Sequence, residues 1–222
     1  MAVRLIRNTF LKRILPNQNG MALVEFAICL PFLFLMFAGA IDVTRMVLLH
    51  QKVDKVAFTI GDLVTQLEAE NGICNYIRTL DDEVAADIIR PFPYKPQQYK
   101  LIVTSVLGTQ ATWDPSGPIR DMIEWQYVSN GGPGGTASYV GNSPGGYQRV
   151  ANLPASISGL PQNERIIVTE AWYFFEPILP MSFGTSYSTT AVDAHQIHKI
   201  SFLRGRIVKG PVAKNKGPLA SC

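Results

Sequence analysis

The residues with the most chemistry available to them stand in Asn17 to Phe26, NQNGMALVEF. Gly20 closes a stretch that carries Arg4, Arg7, Lys12 and Arg13 with no acidic residue among them. Glu25 comes next, directly before the uncharged run Phe26 to Ile41, FAICLPFLFLMFAGAI. A carboxylate at that depth is costly in lipid and calls for an explanation. Cys29, Cys74 and Cys222 are too few for a disulfide scaffold and lack the paired spacing of a zinc site. Cys29 lies in the apolar run, which leaves Cys74 and Cys222 as the possible disulfide. Asp193, His195 and His198 in DAHQIH invite a metal reading. On a strand, however, Asp193 and His195 share a face and His198 points away, so the three do not converge. There is no phosphate loop, no G-x-S-x-G and no paired carboxylates on a recognisable scaffold. Neither an enzymatic activity nor a cofactor is expected.

These residues need elements to position them. Counted from Met21, the apolar run is about long enough to span hydrocarbon at 1.5 Å per residue. Residues 21–44 therefore read as a transmembrane helix, with a local bend expected at Pro31. The positive charges before it favour a cytoplasmic N-terminus and an extracytoplasmic remainder. Loss of the four leader charges from the formal +3 leaves −1, so the basic balance belongs to residues 1–20 and no nucleic-acid partner is expected. Past the span, Leu49, Val53, Val56, Ala57, Ile60, Leu63, Val64 and Leu67 recur at helical spacing. Gln51, Lys52, Asp54, Lys55, Asp62 and Gln66 take the other face. Residues 45–70 thus extend the helix as an amphipathic segment, for a total reach of about 70 Å from Met21 to Leu67. Its stripe requires a domain or a neighbouring subunit to cover it.

Residues 71–222 read as an extracytoplasmic α+β domain. A short helix is expected after Asn71-Gly72, with Thr79 as its N-cap, Asp81 to Glu83 in the first turn, Val84 and Ile88 inward and Pro91 as the stop. Lys100 to Leu107, Ile123 to Val128, Ile166 to Phe175 and two segments within Tyr187 to Ile207 are rich in β-branched and aromatic residues and predict antiparallel strands. In the third of these, at least half of Trp172, Tyr173, Phe174 and Phe175 are expected in the core. The glycine-dense loop 129–146 is either a recognition surface or mobile, and mobility is the expectation. The basic segment 204–222 reads as a solvated tail.

Gly20, Ala22-Leu23-Val24-Glu25-Phe26, Leu30-Pro31 and IDVTRMVLLHQKVDKVA, Ile41 to Ala57, resemble the TadE-like pseudopilins of the tight-adherence (Tad, or Flp) pilus system. VTEAWYFFEPILP, Val168 to Pro180, is a fainter second patch of likeness. The resemblance implies cleavage between Gly20 and Met21 by a prepilin peptidase, with Glu25 and Phe26 at the fifth and sixth mature positions. It further implies a minor pseudopilin in the bacterial inner membrane, with other pilins and pseudopilins, the inner-membrane assembly platform and membrane lipid as partners. Cleavage would free an amine at Met21. The amine of one subunit could then meet Glu25 of another, each offsetting the other's desolvation and setting the register.

Two blander processing readings compete. Ala38-Gly39-Ala40 offers a signal-peptidase pattern, but Glu25 sits where a signal core should be apolar and the helix continues past the cut. An uncleaved signal anchor would leave Glu25 merely at the interface. A different functional class, a membrane-anchored binding module using the glycine loop and the aromatic strand, would need no pilus.

Overall fold

The structure is a computed structural model that describes residues 20–66, 73–93, 98–111, 114–129, 137–141, 150–177 and 196–205. It bears out the α+β class: a long N-terminal helix, short helical segments and a four-stranded antiparallel sheet. The chain divides into two compact units, one holding the helix up to Arg45 and the other beginning at Met46 and holding the sheet.

Helix α1 runs Met21–Thr65, with Pro31 inside it. From Met46 on it buries Leu49, Val53, Val56, Ala57, Ile60, Gly61, Val64 and Thr65. This is the expected stripe, with two differences. Leu63 is only partly buried, and Gly61 and Thr65 join the buried face. A Cβ on Gly61 would stand 2.7 Å from Leu203 Cδ1 and 3.0 Å from Thr169 Oγ1, so a larger residue there would require the Leu203 side chain to shift. The Ser201 hydroxyl donates to Ala57 O at 2.8 Å in the same contact. Leu67 lies outside the described residues.

The accessory helix departs from expectation. Helix α2 spans Ile73–Thr79, continues as a π-helical segment, Leu80–Ala85, and ends as α3, Ala86–Ile89. Thr79 is therefore not an N-cap. Its backbone is helical (φ −62, ψ −42), and its hydroxyl donates back to Asn75 O at 3.1 Å. Cap chemistry lost to packing here: Ile77, on the turn before Thr79, is fully buried and carries the helix back to Ile73. The inward positions are Ile77, Leu80, Ala85 and Ile89, while Val84 and Ile88 pack at the margin.

The strands are β1 (Tyr99–Gln110), β2 (Ile119–Val128), β3 (Arg165–Phe174) and β4 (Gln196–Arg204), in spatial order β2-β1-β3-β4. Arg204 closes β4 and pairs with Glu164 at 3.1 Å, so it belongs to the sheet and not to a tail. The other segment expected within Tyr187 to Ile207 lies outside the described residues, as do 206–222.

Alternation along the strands separates two faces. One face holds Tyr99, Leu101, Val103, Trp125, Tyr127, Ile167, Ala171, Tyr173 and Ile197, packed with α1 and the accessory helices. The other holds Val106, Ile123, Ile166 and Val168 under Val140, Ala151 and Leu160. A register shift between Ser105 and Val106 leaves Glu124 as the extra residue of β2. The described part of the glycine loop is thus not free of the domain. Val140 is fully buried, Gly141 O accepts from Gln126 Nε2 at 2.9 Å, and Leu101 N–H donates to Ser129 Oγ at 2.9 Å. A lone buried valine and backbone carbonyls that satisfy sheet side chains leave no periodic trace in a sequence.

Candidate assembly surface

Each residue of the expected cleavage and assembly site falls at the start of α1 or just before it. Nothing lies within 4 Å of a Cβ built on Gly20, so no packing among the described residues demands glycine there. Met21, Glu25 and Phe26 are all exposed. Met21 and Glu25 are four residues apart and so share a helix face, separated by about 6 Å along the axis. Around them, Leu23, Val24, Phe26, Ile28, Phe32, Phe34, Met36 and Phe37 expose apolar surface on every side. A helix apolar all round belongs in a core or in lipid, and none of the described residues covers this stretch. It is long and apolar enough to cross a membrane. Beyond the uncharged run come Asp42 and Arg45, an i,i+3 ion pair at 3.4 Å.

The family model for TadE-like protein matches residues 20–60. Residues 20–60 are a TadE-like segment. This segment begins at Gly20, includes Met21, Glu25 and Phe26, and ends at buried Ile60, so its boundaries take in both the exposed and the packed stretches of α1. TadE-like proteins are structural and pilus-associated, which is the coarse function carried by the match. No curated protein and no solved structure matches the chain. All four strands lie beyond the TadE-like segment.

The remaining sequence candidates are dispersed. Cys74 lies half-buried on α2 and is disulfide-bonded, Cys29 is exposed and free, and Cys222 lies outside the described residues. Asp193 and His195 also lie outside them, and no group of metal-ligating side chains occurs among the described residues. In the aromatic strand, Tyr173 and Phe175 are buried and Trp172 and Phe174 half-buried, as alternation predicts.

Sequence reasoning missed a buried polar cluster on the second sheet face. Glu170 is wholly buried; its Oε1 accepts from the Ser138 hydroxyl and its Oε2 from Tyr139 N–H at 2.9 Å. His198 Nε2 is 3.3 Å from Glu170 Oε2, within ion-pair range but not aligned for a hydrogen bond, and its ring stacks on Trp172 with centroids 3.5 Å apart. Burial lowers the Lys100 pKa, and nearby Glu170 partly opposes that shift. On the helix-facing side, the Tyr127 hydroxyl donates to Asp81 Oδ2 at 3.1 Å. Burial, then the Asp81 charge, raise the Tyr127 pKa above its usual range. His50 is lowered, by burial first and then by the Lys199 charge. A single Glu within a β-branched strand carries no local sign that it is buried. Only the placement of Ser138 and Tyr139 over it makes the cluster.

Proposed function

We propose that this protein is a TadE-like minor pseudopilin: a single-pass structural component of a Tad-type pilus, held in the inner membrane by residues 21–44 with its sheet domain outside. In this reading a prepilin peptidase removes residues 1–20, and the mature chain joins other pilins and pseudopilins at the inner-membrane assembly platform. The observation that carries the reading is the coincidence of the family match with an exposed apolar helix whose first residues are Met21 and Glu25. A carboxylate exposed among lipid-seeking side chains lowers its cost when a neighbouring subunit brings a cation. The freed Met21 amine supplies one. Cys74 and Cys222 are proposed as partners in a disulfide that closes the outer domain on itself.

Intact mass of the purified protein tests this directly. The expected chain begins at Met21. A full-length mass, or one beginning near Ile41, would overturn the processing assignment. Gly20→Val sharpens the test, because an added side chain at Gly20 meets nothing within 4 Å among the described residues. Full-length Gly20→Val protein should accumulate in the membrane while the wild type is shortened.

A further inference from the structure

We draw no further inference here: the strongest candidate, the outer edge of β4 from Gln196 to Arg204, which among the described residues pairs with β3 alone, carries none because nothing in the structure shows what covers it.

Discussion

The two stretches of α1 are built from the same kinds of residue and differ in what surrounds them. In Met21–Arg45 the large apolar side chains are exposed on all sides; in Met46–Thr65 Leu49, Val53, Val56 and Ile60 form a wholly buried stripe, while Met46, Val47, Leu48 and Phe58 stay exposed. A single helical geometry thus meets two solvents. The first stretch has no face to hide and awaits lipid or neighbouring helices. The second has a polar face in Gln51, Asp54 and Lys55 and a core face closed by the sheet. An apolar side chain in the first stretch should therefore matter to insertion and assembly, and one in the second to folding.

The sharpest way to break this comparison is Glu25→Ala. The variant should be expressed, cleaved and membrane-bound, because removing a charge does not hinder insertion. It should fail to co-purify with other pilins and fail to support piliation, since an unpaired member of a buried ion pair costs about 3 to 5 kcal/mol. Glu25→Asp should be partly impaired, its carboxylate falling short. Normal pilin association in Glu25→Ala would refute the assembly role.

Matched truncations in the two stretches come next. Ile60→Ala should lower the unfolding free energy of the outer domain by about 2 to 5 kcal/mol, measured by denaturant titration in detergent. Leu33→Ala should leave that quantity within about 0.5 kcal/mol of wild type. Comparable losses at both sites would mean that the outer domain draws on the first stretch for its stability.

A comparable effect is expected at Cys74. Cys74→Ser should destabilise the outer domain by about 2 to 5 kcal/mol if the cross-link closes a long loop. Alkylation of the unfolded, unreduced protein should label Cys29 alone, and labelling of Cys74 and Cys222 before reduction would rule out their bond.

The smallest effect concerns Tyr127. Its folded-state pKa is raised by burial and by Asp81, so the neutral phenol is the form the fold retains. Above about pH 10 the unfolded chain loses that proton while the folded chain keeps it. Stability should therefore fall as pH rises past that point. Tyr127→Phe removes this titration and should flatten the alkaline limb of the stability profile, at a cost of about 1 kcal/mol near neutrality for the lost hydrogen bond. An unchanged alkaline limb would show that other groups govern it.

Much of this was legible from residue order because it follows from local periodicity. The helical spacing from Leu49 to Val64 places those residues on one side whatever they pack against. Alternation in the strands likewise sends Tyr173 inward and leaves Trp172 on the other face. The uncharged run after Glu25 specifies an apolar surface with no tertiary information at all, and the α+β class follows from the change of period near Lys100. What only the tertiary structure decided are the meetings between distant residues. Thr79 carries every local mark of an N-cap, yet the helix passes through it because Ile77 has a core to enter. Gly61 carries no local mark of the contact it makes with Leu203 and Thr169. Glu170 carries no local mark of burial. It is buried because Ser138 and Tyr139, some thirty positions earlier, supply the donors that a buried carboxylate requires.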